Sequence, residues 1–220
     1  MTILEAITAR HSVRTYMDKP IPEEIIKELN NEIDVCNTEG NLNIQLVTDK
    51  PKAFDGFMAH YGKFFGLKNY IALVGKKGDN LEEKLGYYGE RIAIKAQMLG
   101  LNTCWVAMSF SKGVTRKNCT IGKDEKLVCV LSLGYGKTQG VAHKSKTTAD
   151  LCKTYGTIPD WFQAGIEAAM LAPTAMNQQK FLFTLSKDSV KATSLGGFYS
   201  KVDLGIVKYH FEIASGHKTA

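Results

Sequence analysis

Apolar residues recur at helical spacing in separate stretches of the chain and predict its helices. The first helix begins with a capping box formed by Thr2 and Glu5, ahead of an apolar face that starts at Ile3. Pro22 suits the first turn of a second helix, because proline has no N–H group to leave unsatisfied there. Further helices are predicted over Leu81–Leu99, from about Ile158 to Pro173 and over Asp203–Ala214.

Runs of alternating or continuous apolar residues predict the strands. Asn43–Thr48 alternates as a strand with one buried face does, whereas the apolar run Leu127–Leu133 is typical of a strand inside a sheet. Other strands are predicted over Tyr70–Val74, Thr103–Met108 and Phe181–Leu185. Because helices and strands intermingle along the whole chain, the pattern predicts an α+β or mixed α/β fold.

The second part of the chain repeats features of the first. Asn41–Thr48 resembles Asn177–Thr184, and each follows a predicted helix. A length of 220 residues with 44% hydrophobic content suits one substantial domain or two closely packed halves. We therefore expect an internal duplication, with a first half over residues 1–150 and a second half over residues 151–220 that pack as one globular unit.

Composition narrows the class of ligand and partner. The formal net charge is +6, but the cations are scattered, which favours local pockets for an anionic ligand over a nucleic-acid surface. The 5 cysteines are widely spaced without a C-x-x-C pair, which argues against a zinc site and predicts a reducing compartment. No apolar run approaches the roughly 20 residues of a membrane-spanning helix. We therefore expect a cytoplasmic protein.

The segment Arg10–Tyr16 directly follows the first predicted helix and is the most informative part of the chain. Arg10, His11 and Arg14 are cations or potential cations, and Ser12 adds a hydroxyl group. A guanidinium group offers a planar fork of donors that matches phosphate oxygens, and a hydroxyl can donate a further bond. The segment is a candidate anion clamp, with a solvated basic turn as the alternative.

Three further strings carry groups that suit a ligand site. Ala172–Gln178 is a proline-led loop that can present N–H groups and an amide to a flat polar ligand, or simply end a helix. Lys144 and Lys146 flank a serine in a segment that by itself is typical of a solvated loop. Gly100–Val106 is a tight turn followed by an apolar strand, and core packing is its safer independent interpretation.

Gly136-Lys137-Thr138 has the ending of a phosphate-binding P-loop. That motif, G-x-x-x-x-G-K-[ST], needs its first glycine at position 131, where Leu131 stands in an apolar strand. The sequence therefore excludes a P-loop nucleotide triphosphatase. Gly134–Gly136 is interpreted instead as the turn that ends the strand.

Taken together, these strings resemble the FMN-dependent nitroreductase family. The family's R-[RHY]-S-x-[RK]-x-[FY] motif is matched by Arg10–Tyr16, and its A-P-S-x-x-N-x-Q-P-W loop by Ala172–Phe181. Its G-L-x-[ST]-C-[WP]-[IV] segment is matched by Gly100–Val106, and its basic K-S-[RK] pair by Lys144–Lys146. The resemblance covers most of the chain and implies an α+β nitroreductase-like fold, with mainly antiparallel sheets flanked by helices.

The order of these motifs departs from that of ordinary family members. In them the proline–asparagine loop follows the first two helices, where this chain has Asn37–Asn43 without a matching proline. Ordinary members are intertwined homodimers in which clamp and loop come from different subunits. The loop in the second half therefore implies a fused, pseudo-duplicated subgroup in which one chain mimics the dimer and binds one FMN. A monomer and a homodimer of such chains both stay open.

The resemblance also implies a role for each site residue. Contacts to the FMN phosphate and ribityl chain are expected from Arg10, His11, Ser12, Lys144 and Lys146. Arg14 is expected near the pyrimidine edge of the flavin ring. Other ring contacts are expected from Pro173, Thr174, Ala175, Met176 and Asn177 on one side and from the backbone of Trp105, Val106, Ala107 and Met108 near the N5 edge.

The implied activity is a ping-pong, two-electron transfer from NAD(P)H through FMN to a small acceptor such as a nitroaromatic compound or a quinone. Arg14 would stabilise negative charge on the ring, and the family implies neither a protein catalytic residue nor a metal. The resemblance implies no nucleic-acid or membrane partner.

Two other classes of function stay open. One is a flavin-binding sensor or storage protein without reductase activity, because Ala107-Met108 stands where the family often has Glu-Gly, and Lys180 replaces its proline. The other is an anion- or nucleic-acid-binding domain without flavin.

Overall fold

The computed structural model describes residues 1–187 and 189–220. Its α-helices are α1 (Ile3–Ala9), α2 (Glu23–Gly40), α3 (Phe57–Tyr61), α4 (Leu81–Met98), α5 (Lys112–Lys117), α6 (Thr148–Leu151), α7 (Asp160–Ala169) and α8 (Ser200–Ser215). Its strands are β1 (Gln45–Val47), β2 (Asn69–Lys76), β3 (Asn102–Val106), β4 (Glu125–Gly134), β5 (Cys152–Thr154), β6 (Phe181–Ser186) and β7 (Ser189–Ser194). Short 3-10 helices cover Pro51–Phe54 and Ala175–Asn177.

The chain divides into two compact units. Unit 1 comprises Met1–Ala9, Glu82–Arg91 and Ala142–Ala220, and unit 2 comprises Arg10–Leu81 and Ile92–Val141. The division expected from the sequence, into duplicated halves over residues 1–150 and 151–220, stays a prediction.

Unit 2 is built on a four-stranded sheet in the order β1-β2-β4-β3, with all neighbours antiparallel. Strand β4 lies between β2 and β3, and all its residues from Leu127 to Gly134 are buried, as its apolar sequence predicts. The core of this unit includes Phe54, which packs against Phe64 and Tyr70 with ring centroids 5.5 and 5.8 Å away. The largest apolar run of the sequence thus forms the centre of the larger sheet.

Unit 1 contains the three-stranded sheet β5-β6-β7 together with α7 and α8. Strands β6 and β7 are antiparallel, and β5 is parallel to β6. Phe183 of β6 stacks on Phe211 of α8 at 4.6 Å, and Phe162 of α7 packs edge-on against Phe211 at 5.5 Å. An aromatic cluster therefore joins the sheet of unit 1 to its two long helices.

The elements that the hydrophobic pattern predicts are present, and the α+β class is confirmed. In the capping box of α1, Glu5 N–H donates to Thr2 Oγ1 over 3.2 Å and Thr2 N–H donates to the Glu5 carboxylate over 2.8 Å. The second helix begins one residue later than expected, with Pro22 as its N-cap. Helices α3, α5 and α6 and strands β5 and β7 were not predicted, because each is at most six residues long and shows too little periodicity. Among the described residues, no helix combines the length and hydrophobicity needed to cross a bilayer.

Helices α4 and α8 cross at two glycines. A Cβ atom on Gly86 would collide with the carbonyl oxygen of Val202, and one on Gly205 would collide with the carbonyl oxygen of Glu83. The two backbones therefore approach more closely than any side chain at these positions would allow.

A fully buried polar pair accompanies this crossing. Nε2 of His210 in α8 lies 3.0 Å from Oε1 of Glu90 in α4, and both side chains are inaccessible to solvent. Nδ1 of His210 lies 2.9 Å from the carbonyl oxygen of Ala168 in α7. Because a buried polar group without a partner is costly, this pair holds the three helices at one separation.

We expect Gly205→Ala to lower the free energy of unfolding by about 3 kcal/mol, because the new methyl group forces α8 away from Glu83. Urea denaturation measures this loss. Gly113→Ala in α5 is the control, since a Cβ there meets nothing within 4 Å and alanine favours a helix. A Gly205→Ala protein as stable as the wild type would contradict the close crossing.

Candidate functional site

The Arg10–Tyr16 segment is extended and lies along β3 in unit 2. Val13 N–H donates to the carbonyl oxygen of Thr103 over 3.0 Å, and Ser12 forms an isolated parallel bridge with the same residue. Further along, Phe65 N–H donates to Arg14 O over 3.0 Å, and Tyr16 N–H donates to Phe65 O over 2.9 Å. These bonds alternate along the segment, so Val13 is buried whereas Arg14 is exposed.

Tyr16 anchors this segment in the core of unit 2. Its ring is 2% exposed, and its hydroxyl donates to the carbonyl oxygen of Val13 over 2.7 Å. The same hydroxyl shares a 2.6 Å hydrogen bond with Ser132 of β4. Burial raises the pKa of Tyr16 well above its ordinary value, so the phenol stays protonated and keeps donating.

Three side chains of the candidate clamp converge on the Cys104 thiol of β3. Burial raises the pKa of this thiol, and Arg14, Ser12 and Arg10 oppose the shift, with hydrogen bonds from the Ser12 and Arg14 side chains. Arg10 itself is only 3% exposed. The structure therefore places two guanidinium groups and a hydroxyl near one thiol, and the anion clamp stays a prediction.

A glycine-rich turn after β4 covers the same segment. Gly136 N–H donates to Asn102 Oδ1 over 2.9 Å, and a Cβ atom on Gly136 would lie 2.7 Å from Val13 Cγ1. Gly140 has a φ of +77°, and a Cβ atom there would lie 2.7 Å from His11 Cβ. This confirms that Gly134–Gly136 ends a strand, and it places His11 and Val13 against backbone that carries no side chain.

The sheet ends inside the Trp105–Met108 string. Strand β3 ends at Val106, which is 3% exposed and packs in the core of unit 2. Met108 is 56% exposed, so the chain passes from core to surface over two residues. Since the Val106 side chain belongs to the core, only the backbone of this residue is available to a ligand.

The proline–asparagine loop belongs to unit 1 and joins α7 to β6. Met176 and Asn177 both have a φ of +52°, and Gln179 has a φ of +45°. Left-handed backbone costs roughly 1 kcal/mol or more at a residue other than glycine, so its persistence requires strong fixing contacts. Met176 is 80% exposed and contributes little to them.

Gln179 supplies one set of these contacts and ties the loop to the lysine string. Its side chain accepts a 2.8 Å hydrogen bond from Lys146 N–H and donates to Lys144 O over 2.9 Å. Asn177 Nδ2 also donates to Lys144 O over 2.9 Å, and Lys146 Nζ donates to Gln179 O over 3.0 Å. The bonded residues of the two strings lie 33 to 35 positions apart in sequence, and the strings form one hydrogen-bonded assembly with Lys144 and Lys146 exposed.

Asp203, in the first turn of α8, supplies the other set. Its Oδ1 accepts from Ala175 N–H over 2.9 Å, and its Oδ2 accepts from Gln178 Nε2 over 2.8 Å. The side chain is 5% exposed, and burial raises its pKa from 3.8 to about 6, while the two hydrogen bonds act in the opposite direction. The loop backbone is therefore held by a carboxyl group whose pKa is raised to about 6.

Sequence reasoning missed Gln179 and Asp203 as contributors to the candidate site. Gln179 stands inside the resembling loop string, so the motif itself offered a signal. Asp203 lies 28 residues beyond Ala175 in another helix, and nothing local marks it.

Pro173 and Thr174 are half-buried in the loop, and Thr174 Oγ1 accepts from Gln179 N–H over 3.1 Å.

Two other kinds of potential ligand site are metal clusters and clefts. No group of three or more His, Cys, Asp or Glu residues within residues 1–187 and 189–220 is arranged to hold a metal ion. A cleft of about 670 Å³ in unit 1 is lined by Thr148, Ala149, Cys152, Lys153, Thr154, Tyr155, Ile158 and Gln163. This lining includes none of the residues predicted from the sequence.

Comparison with known proteins identifies one family model and several structures with a similar fold. The family model described as "Putative TM nitroreductase" matches residues 2–215. The fold is similar to that of a "putative nitroreductase" from Thermotoga maritima MSB8, with a TM-score of 0.66 and 22% identity over 97% of this chain and 83% of that one. No curated protein sequence matches the chain.

Two further structures share the fold over a smaller part of this chain. A "putative nitroreductase" in complex with FMN from Desulfovibrio desulfuricans matches with a TM-score of 0.57 and 14% identity, over 72% of this chain and 99% of that one. A "Putative NADH dehydrogenase/NAD(P)H nitroreductase" from Parabacteroides distasonis ATCC 8503 matches with a TM-score of 0.54 and 21% identity, over 68% and 95%. These similarities confirm the predicted nitroreductase-like fold.

The raised pKa of Asp203 predicts a pH-dependent contribution to stability. The folded state binds this proton more tightly than the unfolded state, so the contribution is complete below 3.8 and is lost as the pH rises through about 6. We expect the free energy of unfolding of the wild type, minus that of Asp203→Asn, to fall by about 3 kcal/mol between about pH 4 and pH 8.

Denaturant unfolding of both proteins at several pH values measures this difference. The changed hydrogen bonds of the variant alter its free energy of unfolding by the same amount at every pH. They therefore do not affect how the difference between the two proteins changes with pH. Asp55→Asn, at an exposed position in unit 2, is the matched control. A difference that stays constant across the range would contradict the raised pKa.

Proposed function

Since this chain belongs to the nitroreductase family, whose model spans residues 2–215, we propose that it binds FMN and transfers electrons from NAD(P)H to a small acceptor. The nitroaromatic compounds and quinones expected from the sequence are the proposed acceptors. The observation that carries the proposal is the family match together with the Arg10–Tyr16 segment, which is bonded along β3 and carries Arg10, Ser12 and Arg14. The FMN in the Desulfovibrio protein and the NAD(P)H in the description of the Parabacteroides protein support it.

The residues of unit 2 fit the phosphate-bearing part of FMN. The Arg10 guanidinium group and the Ser12 hydroxyl group are suitable donors for a phosphate. The adjoining turn is lined by Gly136 and Gly140, where a Cβ atom would collide with the segment itself, so backbone rather than side chain faces the clamp. We assign Arg10, His11 and Ser12 to the phosphate and ribityl chain.

The residues of unit 1 fit a planar ring and a second cationic contact. The loop Pro173–Asn177 presents half-buried or exposed groups from a rigid left-handed turn, as a stacking wall requires. We assign this loop to the flavin ring, and Lys144 and Lys146 to the phosphate. Lys146 Nζ already donates to Gln179 O, so Lys144 is the stronger candidate of the two.

When bound, FMN supplies the redox chemistry, accepting two electrons from NAD(P)H and passing them to the acceptor. The chain's own residues bind and orient the groups involved. The Arg14 backbone is held by the hydrogen bond from Phe65 N–H, and its exposed guanidinium is assigned to stabilise negative charge at the pyrimidine edge. The Trp105–Met108 backbone, which leaves the core at Val106, is assigned to the opposite edge.

The first test is the visible spectrum of the protein reconstituted with FMN. We expect a flavin spectrum at one FMN per chain, bleached by NADH or NADPH and restored by a nitroaromatic compound or a quinone. A protein that retains no flavin contradicts the proposal. Bound flavin that stays oxidised with both nucleotides supports a sensor or storage protein instead. That alternative is favoured by Ala107-Met108, which stands where the family often has Glu-Gly.

The second test replaces Arg14. We expect Arg14→Ala to weaken FMN binding or slow flavin reduction by about 10- to 100-fold, the effect of losing one charge-assisted hydrogen bond. Arg14→Lys should recover only part of this, because an ammonium group lacks the planar fork. Arg116→Ala, at an exposed position in α5, is the matched control. Unchanged binding and reduction in Arg14→Ala would remove Arg14 from the site.

A further inference from the structure

The amide of Gln179 is buried between two strings that the proposed function assigns to FMN. Gln179 is 4% exposed. Its Oε1 accepts from Lys146 N–H over 2.8 Å, and its Nε2 donates to Lys144 O over 2.9 Å and to Asn177 Oδ1 over 3.0 Å. Both N–H donors and the carbonyl oxygen of the amide therefore have partners.

These partners determine the orientation of the amide. If the group were flipped, its oxygen would face Lys144 O and Asn177 Oδ1, and its nitrogen would face Lys146 N–H. Each of those contacts pairs two acceptors or two donors, so the flipped orientation is strongly unfavourable. The observed arrangement is accordingly the only one of the two that satisfies every atom.

The Asn177 side chain also contacts the lysine segment. Its Nδ2 donates to the same Lys144 carbonyl oxygen that Gln179 contacts, over 2.9 Å. The backbone at Lys144 is thus held by two amides of the loop, while the Lys144 side chain is exposed. The Asn177 side chain, which the resemblance assigns to the flavin ring, is held by the same bonds.

We propose that Gln179 is a positioning residue for FMN, which locks the Lys144–Lys146 segment to the Asn177 turn so that the phosphate cation and the ring wall form one preorganised element. This proposal rests on the proposed function. A binding element that is ordered before its ligand arrives avoids the entropy cost of ordering during binding. Without the amide, the lysine segment and the turn have to be ordered separately when the cofactor binds.

The test compares FMN with riboflavin, which has the same ring but no phosphate. Gln179→Met removes the hydrogen bonds and keeps the shape of the side chain, and Gln163→Met on the surface of α7 is the matched control. We expect Gln179→Met to weaken both FMN and riboflavin by about tenfold, because it disorders both parts of the element. Lys144→Ala should weaken FMN alone.

The double variant separates a positioning role from a general loss of stability. If Gln179 sets the position of Lys144, then Lys144→Ala has a much smaller effect on FMN affinity in the Gln179→Met background than in the wild type. An undiminished effect of Lys144→Ala, or wild-type flavin affinity in a folded Gln179→Met protein, overturns the proposal. Thermal unfolding of each variant checks that it is folded, and Gln179→Leu replaces Gln179→Met should the latter not fold.

Limited trypsin cleavage of the flavin-free protein tests the lock without any cofactor. We expect Gln179→Met to speed cleavage after Lys144 and Lys146, since both lie on exposed chain that the amide holds. Unchanged cleavage contradicts the lock. A protein that binds neither flavin contradicts the proposed function, whereas wild-type affinity in Gln179→Met contradicts only the role of Gln179.

Discussion

The burial of Tyr16 is the constraint on which the candidate clamp depends. A phenol in the core has to satisfy its hydroxyl, and Tyr16 does so with Val13 O and Ser132. This folds the segment onto β3 and β4, where Val13 pairs with Thr103. With the backbone fixed in this way, the side chains of Arg10, Ser12 and Arg14 lie close enough to Cys104 to affect its thiol. Core packing of Val13 and Tyr16 thus fixes the backbone of the segment that carries these polar residues.

In unit 1 the proline–asparagine loop is fixed by buried polar groups, whereas in unit 2 the Arg10–Tyr16 segment is fixed by a buried ring. Its loop contains residues in left-handed conformation that cost free energy, and the hydrogen bonds of Gln179 and Asp203 offset that cost. Such a loop is rigid only while each of these partners is present. This explains why a string of small and amide residues, unremarkable by composition, forms a defined surface.

Much of the fold could be predicted from the sequence, and the limits have a physical origin. Long elements such as α4, α8 and β4 show their periodicity over many residues, so their existence was clear. Short elements such as β5 have three residues and are formed by pairing with β6, a partner that no local pattern reveals. The site divides in the same way. The clamp and the loop could be proposed from the sequence because their residues are contiguous, whereas Asp203 was missed because its partner Ala175 lies in another element.

The sequence by itself determined the α+β class, the long helices and strands, and the strings that resemble an FMN-dependent nitroreductase. These properties depend on spacing between near neighbours, and such spacing can be observed in a linear chain. Only the tertiary structure decided that Arg10, Ser12 and Arg14 meet at Cys104, and that Gln179 binds the lysine segment to the loop. Contacts of this kind form between residues far apart in sequence, and burial selects them because each buried donor or acceptor has to find a partner.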